Sequence, residues 1–225
     1  MTSIPPFPEY PSGFLGFYPI VPDLTWVEKL VAWGAKTIQL RIKQEARHET
    51  PGISENHDFS LEQQIADACS LCRKHRVSLI INDHWSYALK YKAFGIHLGQ
   101  EDLDGLDDEA LRTLRRSGLI LGVSTHNEQE LTRALDLKPS YIALGPIFPT
   151  TCKSLAFGPH GLEKIKTWRS RTSLPIVAIG GMKVEHVREA LALGASGVAV
   201  ISDVLKSLSP HKRTQEWLAA FSAGI

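Results

Sequence analysis

The sequence alternates between short apolar runs and longer amphipathic segments. Eight runs are typical of β-strands, and several are apolar throughout, as expected of parallel strands that are covered on both faces. Each run is followed by a segment whose apolar residues recur at helical spacing. Alternation of this kind predicts an α/β fold with a parallel sheet. The runs are 17–21, 37–42, 78–83, 95–98, 119–124, 141–145, 175–180 and 197–202.

Eight such units in 225 residues favour a closed (β/α)8 barrel, a TIM barrel, over an open doubly wound sheet. The open sheet usually carries a glycine-rich first βα turn, which this sequence lacks. No change of composition marks a second domain. We therefore expect residues 1–225 to form a single barrel domain with a short proline-rich lead and a C-terminal helix. The polar segment 44–59 is either a mobile flap or a tolerated surface insertion.

Composition and charge argue against several classes of function. Hydrophobic residues make up 43% of the chain and charged residues 22%, which is typical of soluble globular proteins. The formal net charge of +1 argues against nucleic-acid binding. No apolar run reaches the roughly 18 residues that a membrane span needs, and the first residues do not resemble a secretory signal. With only three cysteines, the chain is expected to be cytoplasmic.

Cys69 and Cys72 form a CxxC pair, which could be a redox or metal site or simply part of a helix core. They continue the helical spacing of Leu61, Ile65 and Ala68. No nearby pattern supplies partners for a metal site. We therefore expect both cysteines to be buried core residues.

Polar side chains crowd the ends of the strand-like runs, where the active sites of (β/α)8 barrels lie. Alternation along the second run would send Gln39, Arg41 and Lys43 to the same side, so that an amide and two cations converge. A solvated strand end is the alternative. The third run ends in Asn82 and Asp83, and the carboxylate could instead cap the following helix.

Two carboxylates and a hydroxyl at the strand ends suggest a ligand with phosphate groups. Asp102 follows the fourth run and, paired with Asp83, could hold Mg²⁺, a hard ion that takes one or two carboxylates plus the phosphate oxygens of a substrate. Ser124 ends the fifth run. Its hydroxyl could donate to a phosphate oxygen, or it could merely start the next helix.

The seventh and eighth runs end in residues suited to binding an anion through the backbone. Gly180 and Gly181 precede a helical segment, and glycines allow backbone N–H groups to approach an anion closely. Ile201 and Ser202 also precede a helical segment. Phosphate sites after strands 7 and 8 recur in these barrels, although a Gly-Gly pair alone is usually a turn.

The loop after the sixth run reads GPIFPTTCK, residues 145–153. Two prolines restrict the loop and reduce the entropy lost when it is held in place. The loop would bring Thr150, Thr151 and Lys153 to the same rim as Arg41. A rigid surface turn with a solvated lysine is the alternative. Together the strand ends predict two anion sites, one cationic and assisted by a metal, the other formed by glycine amides.

Seven motifs occur in order at these positions: QLRIK, IIND, HLGQED, GVST before His126, GPIFPT before Lys153, AIGGM and AVIS. Together they closely resemble the thiamine phosphate synthase family over roughly residues 17–205. The resemblance implies a (β/α)8 barrel and a transferase (EC 2.5.1.3). Such an enzyme condenses hydroxymethylpyrimidine diphosphate with a thiazole phosphate to give thiamine phosphate and diphosphate. These small molecules would be the partners and Mg²⁺ the cofactor, without nucleic acid or membrane, and a homo-oligomer is left open.

The resemblance also implies roles for individual residues. The pyrimidine diphosphate would be bound by Gln39, Arg41, Lys43, Asn82, Ser124 and Lys153, Mg²⁺ by Asp83 and Asp102, and the thiazole phosphate by Thr150, Gly181, Ile201 and Ser202. The catalytic residues would stabilise charge on the departing diphosphate in a dissociative substitution, and they would be Arg41, Lys43, Ser124 and Lys153.

One motif departs from the family pattern, which usually reads Thr-x-Thr-Lys. Here Cys152 stands at the second threonine, and a thiol is a weaker hydrogen-bond donor than a hydroxyl. Thr151, beside it, is a further candidate for binding the substrate in its place.

Two other functions remain open at this point. A thiazole tautomerase-like isomerase on the same barrel shares the glycine site and can carry Asp-Cys-Lys in the loop and a histidine at the position of His126. A non-catalytic sensor that binds thiamine phosphate is the second. The synthase is favoured over the tautomerase by residues for which a tautomerase has no evident use: Gln39, Lys43, Asn82, Asp83 and Asp102.

Overall fold

A computed structural model describes residues 6–43, 60–150 and 158–222. Their backbone forms a closed barrel of eight parallel strands, which lie around the barrel in chain order from β1 to β8. β8 pairs with β1 and closes the barrel, with Gly16 opposite Gly197. The predicted (β/α)8 architecture is confirmed. Thr151, Cys152, Lys153 and the segment 44–59 lie outside the described residues.

The strands begin close to the predicted positions, but several end earlier. β2 ends at Leu40 and β8 at Val200, two residues before the ends of the corresponding predicted runs. Residues beyond these points belong to the rim, where the chain leaves the ladder and turns towards the next helix. The strands are β1 (Gly16–Val21), β2 (Thr37–Leu40), β3 (Ser78–Asn82), β4 (Gly95–Leu98), β5 (Ile120–Thr125), β6 (Tyr141–Leu144), β7 (Ile176–Ala178) and β8 (Gly197–Val200).

Helices connect the strands and pack around the barrel. They are α1 (Leu24–Ala32), α2 (Leu61–His75), α3 (Trp85–Lys90), α4 (Gln100–Asp104), α5 (Asp108–Arg116), α6 (Glu128–Leu137), α7 (Glu163–Arg169), α8 (Val187–Ala192), α9 (Ser202–Leu205) and α10 (Pro210–Ser222). Short 3₁₀ turns cover Pro11–Gly13 and Val184–His186. Asp23 and Ser60 cap the first two helices by accepting hydrogen bonds from the N–H groups three residues later.

The core has two layers. The outer layer fills the space between barrel and helices, and it contains Trp168, Trp217 and both cysteines of the CxxC pair. Cys69 and Cys72 are buried on α2, which confirms the core prediction. Burial raises the pKa of the Cys69 thiol to about 11 and that of Cys72 to about 12, so both stay protonated.

The inner layer fills the barrel. It contains aliphatic residues together with three tyrosines, Tyr10, Tyr18 and Tyr141. α10 docks on the outside, where Trp217 stacks on Phe17 with ring centroids 5.5 Å apart. In the parts of the chain that the structure describes, no helix combines the length and the apolar character that crossing a bilayer requires.

Candidate active site

A cavity of about 520 Å³ opens at the carboxyl ends of the strands. This is the size of a typical small-molecule site, at the barrel face where chemistry is expected. Predicted site residues from distant parts of the chain line this one cavity: Gln39, Arg41, Asn82, Asp83, Asp102, Ser124, Thr150, Gly181, Ile201 and Ser202.

Lys43 is the described candidate that does not line the cavity. It is exposed, three residues beyond the end of β2 at Leu40. Alternation holds only within the strand, so the expectation that it carries Lys43 to the side of Gln39 stays a prediction. Arg41 stays close to the ladder, since its N–H donates to the Val21 carbonyl at 2.8 Å.

Asp83 and Asp102 meet on this rim. Asp83 adopts a φ of 62°, a left-handed backbone conformation that aspartate tolerates better than most residues. Asp102 lies on the short helix α4, and its Oδ2 accepts a hydrogen bond from the Gly99 N–H at 2.7 Å. Asp83 does not cap α3, whose N-cap residue is His84. The capping alternative is thus not observed.

The two carboxyl groups line the same cavity and are close enough to interact electrostatically. Burial, followed by the negative charge of Asp102, raises the pKa of Asp83 to about 6, against the opposing positive charge of Arg41. Two carboxylates held this close repel one another when both are ionised. A bound cation would relieve that repulsion.

The donor atoms fit Mg²⁺. Beside the carboxylate pair, Asn82 is buried and its Oδ1 accepts no hydrogen bond from the described part of the chain. That carbonyl oxygen is left for a ligand. Among the described residues no cluster of three or more His, Cys, Asp or Glu side chains could hold a metal. The set suits an ion that takes one or two carboxylates and completes its shell with substrate oxygens.

A chain of hydrogen bonds crosses the barrel below the cavity. Gln39 Nε2 donates to the Tyr18 hydroxyl at 2.8 Å, which lies 2.8 Å from the Tyr141 hydroxyl. Tyr141 OH lies 3.0 Å from His97 Nδ1, and His97 Nε2 lies 2.9 Å from Ser124 Oγ. Two predicted substrate-binding residues, Gln39 and Ser124, are therefore the ends of one buried chain.

Burial controls protonation along this chain. It lowers the pKa of His97 to about 4, so the imidazole is neutral at neutral pH. It raises the pKa of Tyr18 and of Tyr141 well above the ordinary tyrosine value, so both phenols keep their protons. Every side chain in this hydrogen-bonded series, from Gln39 to Ser124, is therefore uncharged.

The GPIFPT loop packs on the glycine turn. The N–H of Phe148 donates to the Gly180 carbonyl at 2.9 Å, and the N–H of His160 donates to the Pro146 carbonyl at 2.9 Å. Gly181 has a φ of 63°, and a Cβ there would lie 2.6 Å from the Pro149 carbonyl oxygen. Glycine is thus required for close backbone approach. The contact holds Thr150 at the cavity.

Ile201 and Ser202 border the same side of the cavity. Ile201 precedes the short helix α9, which begins at Ser202. His126 also lines the cavity, and its Nδ1 lies 2.7 Å from Glu130 Oε2. The carboxylate therefore fixes the orientation of the imidazole.

Sequence reasoning missed the buried connectors between the predicted residues. Tyr18, His97 and Tyr141 lie on β1, β4 and β6, and no motif of the sequence gives them a role. The available signal was a polar tip on an otherwise apolar strand at an inward-facing position. That signal identifies single residues and does not show which of them touch.

Proteins of one family resemble this chain along most of its length. The family model described as Thiamine monophosphate synthase matches residues 18–204. A protein of Proteus mirabilis (strain HI4320) named thiamine-phosphate synthase is 46% identical over 194 residues, covering 86% of this chain and 84% of that relative. One of Salmonella paratyphi B with the same name is 40% identical over 221 residues, covering 98% of both.

A solved structure resembles the barrel as a whole. It is a thiamine phosphate pyrophosphorylase from Pyrococcus furiosus, with a TM-score of 0.73 and 26% sequence identity. The match covers 94% of this chain and 97% of that one. Fold and sequence comparisons therefore agree.

Proposed function

The chain belongs to the thiamine monophosphate synthase family, and from this membership we propose that it condenses hydroxymethylpyrimidine diphosphate with thiazole phosphate. The products are thiamine phosphate and diphosphate, and the enzyme is a transferase (EC 2.5.1.3). The observation that carries the proposal is the cavity that Arg41, Asp83, Asp102 and Ser124 line together. Such a cavity suits a ligand that is both heteroaromatic and highly charged.

The pyrimidine diphosphate occupies the side of the cavity formed by β2 to β5. Gln39 and Asn82 bind this substrate, and the Arg41 guanidinium faces its diphosphate. Cations near the breaking C–O bond stabilise the charge that builds on the departing oxygens. Ser124 donates a hydrogen bond in the same place. Lys43 and Lys153 are further proposed cations, and of these Lys43 lies outside the cavity lining.

Asp83 and Asp102 are the proposed ligands of Mg²⁺. When bound, the ion would supply positive charge to the diphosphate oxygens. The chain's own part is to hold two carboxylates together at the rim, with Asp102 fixed by the Gly99 N–H. The close approach and raised pKa of Asp83 support this assignment.

The thiazole phosphate occupies the opposite side, formed by β6 to β8. Thr150, the Gly181 turn, and Ile201 with Ser202 are proposed to hold its phosphate, and Thr151 is a further candidate. The thiazole nitrogen has a lone pair and can attack the pyrimidine methylene carbon without a protein base. Departure of the diphosphate before full bond formation would give a dissociative substitution. The electron-rich aminopyrimidine ring stabilises the positive charge that then builds on its methylene carbon.

The relatives act, by their names, on small molecules, and we propose the same for this protein in the cytoplasm, without nucleic acid or a membrane. A homo-oligomer remains a prediction.

An assay of the purified protein with both substrates and Mg²⁺ tests the function. Thiamine phosphate formed together with an equal amount of diphosphate is the expected result. Isomerised thiazole alone would identify a tautomerase, and binding of thiamine phosphate without turnover would identify a sensor. An Arg41→Ala variant purified in the same way controls for contaminating enzyme, since it should lose about a hundredfold in rate.

A further inference from the structure

The hydrogen-bonded chain from Gln39 to Ser124 is buried at its centre. Tyr18 is 1% exposed and Tyr141 is fully buried, and neither lines the cavity. Gln39 and Ser124 do line it, one at each end. His97 also borders the cavity, so only the two tyrosines act on a ligand entirely through their neighbours.

The strand sequences make room for this chain. Tyr141 crosses the barrel interior because β5 carries a glycine opposite it, and a Cβ at Gly122 would overlap the Tyr141 ring. The resulting position puts the phenol oxygen within reach of both Tyr18 and His97. A buried polar group without a partner is costly, so the three side chains satisfy one another.

The direction of the chain follows from its first member. The Gln39 amide nitrogen can only donate, so the Tyr18 oxygen accepts and its own proton goes to Tyr141. Tyr141 then donates to His97 Nδ1, which leaves the imidazole proton on Nε2 to donate to Ser124 Oγ. Ser124 keeps its own proton for the cavity, and Gln39 keeps its carbonyl oxygen.

Reversing any one bond reverses them all. If the Gln39 carbonyl oxygen faced Tyr18, each hydroxyl would turn round and the imidazole proton would move to Nδ1. The Ser124 proton would then be consumed by His97. The acceptor character of one end is thus tied to the donor character of the other.

We propose that Tyr18, Tyr141 and His97 are positioning residues that form a relay, fixing Gln39 as an acceptor and Ser124 as a donor towards the pyrimidine diphosphate. This inference rests on the proposed function. A substrate with an amino donor on one side and an acceptor atom on the other matches that polarity. A ligand of the opposite pattern would have to reverse five groups at once.

Tyr141→Phe tests the relay, because it removes one oxygen and keeps the ring that fills the barrel. We expect kcat/KM for the pyrimidine diphosphate to fall at least about tenfold while KM for the thiazole phosphate stays within about twofold. Tyr10→Phe is the matched control. Tyr10 is another buried tyrosine of the inner layer, but its hydroxyl pairs with Thr37 Oγ1, outside the relay. It should stay within about twofold of wild type.

A double-mutant comparison separates positioning from packing. The background carries both Gln39→Ala and Ser124→Ala, which remove the two ends of the relay. Adding Tyr141→Phe to this background should lower kcat/KM for the pyrimidine diphosphate by less than about twofold. A loss as large as in the wild-type background overturns the relay, and so do equal losses for Tyr10→Phe and Tyr141→Phe. Wild-type kinetics for Tyr141→Phe overturn it as well.

The tautomer of His97 provides a readout in the wild-type protein itself. In ¹⁵N-labelled wild-type protein, the imidazole should carry its proton on Nε2 with Nδ1 accepting. The signal is assigned by its loss in His97→Gln. If an active enzyme carries the imidazole proton on Nδ1, the relay is wrong while the proposed function stands. A wild-type protein that makes no thiamine phosphate defeats the proposed function and, with it, the role of the relay towards this substrate.

Discussion

The two faces of the barrel strands carry different chemistry, although the same strands supply both. The outer face packs on the helices through apolar residues such as Ile38, Ile96 and Leu144. The inner face, one residue further along the same strands, presents Gln39 and His97, which reach the cavity. Alternation along each strand therefore separates the residues that stabilise the fold from those that contact a ligand.

This difference predicts which kind of defect a substitution causes. On the outer face, a truncated side chain leaves a cavity in a packed layer, and stability falls. On the inner face and rim, a change alters hydrogen bonds and charge around the ligand. Turnover should then fall further than stability.

Truncation of the outer layer should give the largest change in stability. Ile65 on α2 is fully buried, and Ile65→Ala should lower the free energy of unfolding by roughly 2–5 kcal/mol. Turnover per folded molecule should stay within about twofold. Ser70→Ala, at an exposed position of the same helix, should change stability by no more than about 0.5 kcal/mol. Urea unfolding measures both, and an unchanged Ile65→Ala would contradict the packing described.

On the rim, Arg41→Ala should slow turnover about hundredfold, equivalent to roughly 3 kcal/mol of barrier, with the fold intact. Lys43→Ala should cost less, because Lys43 is exposed and lies outside the cavity lining. Steady-state kinetics with circular dichroism measure the contrast. Equal losses for the two variants would mean that Lys43 contacts the substrate as closely as Arg41 does.

Lowering the pH should reduce the free energy of unfolding through His97, on the inner face. As pH falls below about 6.5, unfolded histidine takes up a proton, but burial holds the pKa of folded His97 at about 4. The unfolded state therefore binds more protons between these values. The stabilisation present above about pH 6.5 is lost as the pH falls towards 4, by at most roughly 3 kcal/mol.

The comparison of wild type with His97→Gln isolates this effect, because both proteins keep Asp83, whose raised pKa acts in the opposite direction in the same range. Between pH 7 and pH 4, the free energy of unfolding should fall by more in the wild type than in His97→Gln. His75→Gln, at an exposed histidine, is the control. A difference that does not change with pH would contradict the buried, neutral imidazole.

The barrel and most of the rim could be predicted because their signals are local. Apolar periodicity identifies each strand, and the fold then brings the strand ends to one face, so Asp83 and Asp102 could be paired without coordinates. The place of Lys43 is harder to predict, because the end of β2 depends on where pairing stops, and the sequence run continues past Leu40.

The relay could not be predicted for a different reason. Tyr18 and Tyr141 are 123 residues apart, and nothing in either strand alone indicates that their hydroxyls meet. The contact depends on the barrel closing and on the space left by Gly122. Lys153 and Thr151 lie outside the described residues, so their roles remain predictions.

The most direct test of the rim chemistry is the Mg²⁺ dependence of thiamine phosphate formation after removal of metal by a chelator. Asp102→Asn keeps an oxygen for the Gly99 N–H and removes the charge. Asp104→Asn, on the same helix but exposed and paired with Arg133, is the control. We expect metal-free wild type to be inactive until Mg²⁺ is added, Asp104→Asn to match it, and Asp102→Asn to need at least about tenfold more Mg²⁺. Full turnover without metal, or an unchanged Mg²⁺ requirement in Asp102→Asn, would contradict the account.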